Sequence, residues 1–263
     1  MAFFIASLFS PRFKSTKQFF IINASPLKDL AIKQNFIVSL TSTEKGKKQT
    51  DLSYCSGVLI APHIVLTAAH CVHEKTQIVI HFHDQNGKRI FDQSYVLQKQ
   101  KIIIHKGYKK LSQSTVNDIA LIQLPPHLST SVEKFPEILP EMLLDINSSS
   151  IHFLAIGSGL KSLEEKNDIF RGEILQYKYL KTENYQINKN TFSVLQPEGG
   201  VCFGDSGGPA LIKDSDNYYL LGIASYLAAT KNKSQNVCQM KSYFLNMSAY
   251  KKWILQNIQM LSL

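Results

Sequence analysis

Three short segments hold residue types that could act together on an acyl carbon: Thr67-Ala68-Ala69-His70-Cys71, Asn117-Asp118-Ile119-Ala120-Leu121 and Gly204-Asp205-Ser206-Gly207-Gly208-Pro209. A serine hydroxyl is a weak nucleophile at neutral pH. It needs an adjacent imidazole to take its proton, and a buried carboxylate must hold that imidazole in the right tautomer. His70, Asp118 and Ser206 supply one of each, in that chain order. A lone Gly-x-Ser-x-Gly string would say little, because glycine and serine are common in turns. Three such segments in order say far more. Glycine at 204 permits the turn that would aim backbone N–H groups at a developing oxyanion, with the N–H groups of Gly204 and Ser206 as the candidates. Gly207 and Gly208 leave the serine approachable.

In these segments the chain resembles the chymotrypsin-like (trypsin-like) serine proteases, whose His lies in TAAHC, Asp in DIAL and Ser in GDSGGP; the likeness extends over about residues 21–259. It implies an all-β fold of two six-stranded antiparallel barrels with the active site between them and a short C-terminal helix. It also implies a serine endopeptidase in which Ser206 attacks, His70 moves the proton and Asp118 orients His70. Disulfides are implied between Cys55 and Cys71, around the His70 loop, and between Cys202 and Cys238, tying the serine loop to a wall of the specificity pocket. Ile21-Ile22-Asn23-Ala24 resembles the family's activated amino terminus, usually Ile-Val-x-Gly, with Ala24 in place of Gly. A cut before Ile21 or Ile22 would free an ammonium to pair with Asp205.

The resemblance also places the specificity pocket. Its base falls at Gly200 with Val201 beside it, Phe203 at the mouth, and Leu227 and Ser242 on the walls. Ser225, Tyr226 and Leu227 form the edge that pairs with substrate backbone, Tyr226 standing where the family has Trp. Without a carboxylate at 200, a cationic side chain would enter uncompensated, and Leu227 and Ser242 should narrow the slot. Small or medium apolar residues, such as Ala, Val or Leu, are therefore expected before the cut bond. The alternative is a catalytically silent binding protein on the same fold. Silent relatives commonly lose the His or the Ser, and this chain keeps all three residues.

The elements that must position these groups read as short strands. Phe36 to Leu40, Gly57 to Ile60, Ile64 to Thr67, Ile78 to Phe82, Ile102 to Ile104, Ala120 to Leu124, His152 to Ile156, Tyr219 to Ala224 and Tyr243 to Met247 are rich in β-branched or aromatic residues and bounded by turn formers. Pro125, Pro126, Pro136 and Pro140 mark a linker over about 125–147, between a first β unit over about 21–128 and a second over about 148–263. Ser248 is the expected cap of a terminal helix whose Tyr250, Trp253, Ile254 and Ile258 face the core. Asp84-Gln85-Asn86-Gly87 reads as a hairpin turn.

The 263 residues carry a net charge of +9, but only Arg12, Arg89 and Arg171 are arginines and the lysines are scattered, so a nucleic-acid partner is not expected. No apolar run is long enough for a membrane span. Protein or peptide substrates are the expected partners of a secreted or periplasmic monomer. Residues 1–20 read as a leader or pro-segment, whose apolar MAFFIASLFS lacks the positive charge of a standard signal. His81 and His83, with Asp84, could share a strand face, but no third ligand stands at a telling spacing, so neither metal nor cofactor is expected. His63, His73, His105, His127 and His152 read as surface or hydrogen-bonded histidines.

Overall fold

The structure is a computed structural model, which describes residues 24–29, 36–44, 52–97, 101–126, 128, 132, 134–140, 150–159, 174–183, 185, 186, 189–228 and 237–261. The first strand among the described residues is the two-residue β1 (Ser25–Pro26). The chain then builds β2 (Ile37–Glu44), β3 (Leu52–Ala61), β4 (Ile64–Thr67), β5 (Lys75–His83), β6 (Arg89–Val96) and β7 (Ile102–Ile104). A small hairpin of β8 (Lys109–Lys110) and β9 (Thr115–Val116) precedes β10 (Ala120–Gln123). Seven of these strands pair in the order β6-β5-β2-β3-β4-β10-β7. The two edge strands are consecutive in the chain, so the sheet curls toward closure rather than leaving a long open edge.

The second half contributes β11 (Glu137–Ile138), β12 (His152–Gly157), β13 (Gln176–Lys181), β14 (Thr191–Leu195), β15 (Pro209–Asp214), β16 (Asn217–Leu227) and β17 (Lys241–Asn246), then helix α1 (Met247–Leu261). Their sheet runs β1-β13-β12-β15-β16-β17-β14, with β11 added parallel to β16. Setting the two-residue strands β1 and β11 aside leaves six. The Glu183 N–H donates to the Ser193 carbonyl at 2.8 Å, bringing the chain beyond β13 to β14. The first sheet has one strand more than the six expected; counting its consecutive edge strands β6 and β7 as one interrupted strand, the strands occur in the same cyclic order around each barrel, so the two halves repeat one topology. This is the two-barrel architecture expected from the resemblance.

Two segments depart from the expected boundaries. β1 precedes the first barrel in sequence but pairs with β13 of the second sheet. The proline-rich connection is also partly ordered into sheet, as Glu137 and Ile138 pair with Tyr219 and Leu220. Each barrel has a packed apolar interior. In the first, Val38, Val58, Val65, Leu66, Ile80 and Leu121 are fully buried. In the second, Phe192 stacks on Phe244 at 5.3 Å while Phe153 meets both rings edge-on, the geometry that ring quadrupoles favour.

The helix is capped two residues earlier than expected. Asn246 Oδ1 accepts the Ser248 backbone N–H at 3.2 Å and the Ser248 hydroxyl at 2.9 Å, so Asn246 takes the capping role and Ser248 lies inside α1. The hairpin turn is as read from sequence: Asp84 Oδ1 accepts the N–H groups of Asn86 and Lys88, and Gly87 adopts a φ of 77°. His81 is a buried structural histidine. Its Nε2 lies 2.9 Å from Thr41 Oγ1 and its Nδ1 2.8 Å from Ser94 Oγ. Burial, reinforced by Arg89 and His83, pushes its pKa down to about 3, so it stays neutral. Among the described residues, no helix is long and apolar enough to cross a membrane.

Candidate active site

Three elements deliver the three chemical groups to one cleft. His70 follows β4 on a short 3-10 turn, Ala69–Cys71, anchored by the disulfide between Cys55 of β3 and Cys71. Asp118 precedes β10, swung inward by Asn117, whose φ is 49°. Asparagine is one of the few residues that tolerates this left-handed backbone. The Asn117 side chain is held at both ends, its Nδ2 donating to the Gly107 carbonyl and its Oδ1 accepting from Tyr250 of α1. The C-terminal helix thus braces the turn that presents Asp118.

Asp118 receives three donors. His70 Nδ1 lies 2.7 Å from Oδ2, the His70 backbone N–H donates to Oδ1 at 2.8 Å, and the Ser225 hydroxyl donates to Oδ2 at 2.6 Å. Thr115 Oγ1 lies 2.9 Å from Ser225 Oγ and extends the chain. Burial opposes ionisation of this fully enclosed carboxyl. The bonds and charge from His70 and the Ser225 hydroxyl outweigh it and hold Asp118 below the ordinary carboxylate range. Ser225 was expected from sequence only as backbone edge, and this side-chain bond is an addition to that reading.

Ser206 lines the same cleft as His70. Among the described residues no hydrogen bond joins its hydroxyl to His70, and His70 Nε2 lies 3.7 Å from Cys71 Sγ. Such contacts often tighten only when substrate is bound. The serine loop is held from the first barrel: the Ser56 N–H donates to the Ser206 carbonyl at 2.8 Å, and the Ser56 hydroxyl donates to the Gly204 carbonyl at 3.0 Å. Gly207, with a φ of 81°, leaves no room for a Cβ, which would run into Thr67 Oγ1 and the Ser56 carbonyl. Gly204 has a φ of 99°, and a Cβ there would lie 2.7 Å from Gly159 Cα. The Asp205 N–H is taken by the Cys202 carbonyl at 3.1 Å. The flanking N–H groups of Gly204 and Ser206 have no hydrogen-bond partner among the described residues.

Asp205 is buried beneath this loop. Its carboxylate accepts N–H groups from Gly159 and Cys202, each at 2.8 Å. Desolvation dominates over those two bonds and raises its pKa to about 7. Among the described residues no cation pairs with it, and the expected partner, the amino terminus at Ile21 or Ile22, lies outside the described residues.

The cleft has a volume of about 1080 Å³. Val201, Phe203, Ser225, Tyr226 and Leu227 line it, and Tyr243, stacked on Tyr226 at 4.6 Å, joins them. Gly200 and Ser242 do not line it. Both are buried, and Ser242 turns its hydroxyl onto Gln196 Oε1 at 2.9 Å instead of facing the cavity. Cys202 and Cys238 are joined as the resemblance implied. The ligand atoms of Cys55, His70 and Cys71 lie within 4.8 Å of one another, but the two sulfurs are bonded together and offer a cation no thiolate.

The family model described as Trypsin matches residues 28–254. Among curated proteins, the chain is 28% identical to collagenase of Hypoderma lineatum, over 78% of this chain and 76% of that protein. It is 27% identical to human chymotrypsin-like elastase family member 1, over 76% of this chain and 79% of that protein. Melanization protease 1 of Drosophila melanogaster matches at 28% identity over 78% of this chain, yet only 58% of its own length is spanned. A solved structure of HL collagenase superposes with a TM-score of 0.66 at 23% identity, covering 92% of this chain and 98% of that one. With the family pattern matched across most of its length and the two-barrel fold around the cleft, the chain belongs to the trypsin family.

Proposed function

We propose that the chain is a secreted or periplasmic serine endopeptidase that cleaves peptide bonds through an acyl-enzyme. The observation that carries this reading is the buried Asp118 carboxylate held 2.7 Å from His70 Nδ1, in the cleft that Ser206 also lines. That bond leaves Nε2 as the atom to take the Ser206 proton. Ser206 Oγ attacks the scissile carbonyl, His70 then donates the proton to the leaving amine, and Asp118 stabilises the imidazolium that forms between the two steps. The unpartnered N–H groups of Gly204 and Ser206 receive the oxyanion of the tetrahedral intermediate. Water repeats the sequence to release the acyl group.

Apolar side chains of small or medium size are the substrates before the cut bond, because Val201, Leu227 and the Tyr226–Tyr243 stack make an uncharged wall. Full activity follows cleavage before Ile21 or Ile22, the new ammonium compensating the buried Asp205. Ser206→Ala tests the mechanism: hydrolysis of peptide or ester substrates should be abolished with the fold and disulfides intact. Unchanged turnover in that variant would refute it.

A further inference from the structure

We propose that Gln196 sets the depth of the cavity beside Ser206 and so decides which side chain is accepted before the cut bond; this deepens, and rests on, the peptidase reading above. Gln196 is 2% exposed. Its Nε2 donates to the Val201 carbonyl at 2.8 Å and to the Cys238 carbonyl at 2.9 Å, while Oε1 accepts from Ser242 Oγ at 2.9 Å. Both amide protons are therefore committed. The partners come from separate segments: Val201 adjoins the serine loop, whereas Cys238 and Ser242 belong to the turn before β17 and to β17 itself.

The side chain occupies the space beneath Gly200, since a Cβ on that glycine would lie 2.7 Å from Gln196 Cδ and would run into Oε1. The cavity reaches Val201, Leu227 and Val237, while Gly200, Gln196 and Ser242 are buried and do not line it. Bonded behind the lining residue Val201, then, is a neutral carboxamide with its donors used. A long side chain meets bulk there, and a cationic one meets no carboxylate. Shortening Gln196 would lengthen the slot and uncover the carbonyls of Val201 and Cys238, two acceptors placed to receive a terminal N–H donor.

Equilibrium binding of benzamide, an uncharged ring that ends in an amide donor, reads this without any catalytic step. Calorimetry on Ser206→Ala protein, with and without Gln196→Ala, should show at least about tenfold tighter binding when Gln196 is truncated, the scale on which one methylene of fit is felt in such pockets. Added acetamide should compete for the space and reverse the gain. Gln196→Asn, which keeps the amide and removes one methylene, should give a smaller gain in the same direction and stands in if the alanine variant does not fold. Equal affinity in all folded variants would overturn the role of Gln196. A cleavage profile of a peptide library, run on protein with Gln196 truncated and Ser206 intact, should shift from Ala, Val and Leu toward Gln. Absence of any cleavage would count against the peptidase reading, whereas the binding result would still decide the role of Gln196.

Discussion

Asp118 remains an anion although it is fully enclosed, because each of its donors comes from a residue fixed by another element. Ser225→Ala removes one of those donors from a charged group. A loss of about 1.5–3 kcal/mol of stability is expected, measured by urea denaturation, together with reduced turnover. Asp118→Asn should retain the geometry but favour the wrong His70 tautomer, a change that lowers kcat about 10⁴-fold in triads of this kind. Near-normal kcat in that variant would remove Asp118 from the mechanism. The candidate triad was legible because its residues sit in three distinctive strings. Gln196 was not: between Leu195 and Pro197 it reads as an ordinary polar turn residue, and only the packing of β17 and the Cys238 turn around it reveals a buried carboxamide. The displacement of Ser242 from the pocket wall has the same origin, since its hydroxyl is captured by Gln196.

At the scale of elements, α1 does more than cover the core. The Tyr250 hydroxyl donates to Asn117 Oδ1 at 2.9 Å, and burial, with the nearby Asp118 charge, raises the tyrosine pKa to about 12, so this donor persists through the working pH range. Tyr250→Phe should cost about 1 kcal/mol and lower kcat with little change in KM, because the turn carrying Asp118 loses its brace. An unaltered kcat would confine the helix to packing. Asn246→Ala should cost more than the ~1 kcal/mol of a lost helix cap, because it also strips the buried Tyr185 hydroxyl of its acceptor and the Gln186 carbonyl of its donor, whereas Ser248→Ala should be nearly neutral. Sequence patterning located β4 and β7 at their observed ends, as both are short β-branched runs. It passed over β14. It also passed over β6, β13 and β15, for legible reasons. Polar Asp92, Gln93 and Ser94 interrupt the first, tyrosine and lysine alternate in the second, and the third opens on proline, which is usually confined to strand starts and edges.

For the whole molecule, the decisive relations cross from one barrel to the other: Ser56 grips the Ser206 loop, and Ser225 reaches Asp118. No local pattern encodes such contacts, which is why the resemblance, and not periodicity, foretold the cleft. The buried Asp205 has a global consequence. Its pKa is raised from 3.8 to about 7 in the folded chain, so the folded state holds a proton that the unfolded state has released across that interval. Stability of protein whose amino terminus is uncut should therefore fall as pH rises from about 4 to about 7, then level off. Asp205→Asn should flatten this dependence in thermal melts recorded across that range, and an unchanged slope would assign the effect elsewhere.

The proposed mechanism turns on activation of the Ser206 hydroxyl by His70, and covalent labelling reads that step without a peptide substrate. Protein beginning at Ile21 or Ile22 is treated with a fluorophosphonate, digested and mapped by mass spectrometry. One phosphonyl group should be found on Ser206, with labelling at least about 10³-fold slower in His70→Ala and absent from denatured protein. Failure of the folded protein to be labelled, or labelling of Ser206 at the same rate without His70, would contradict the account.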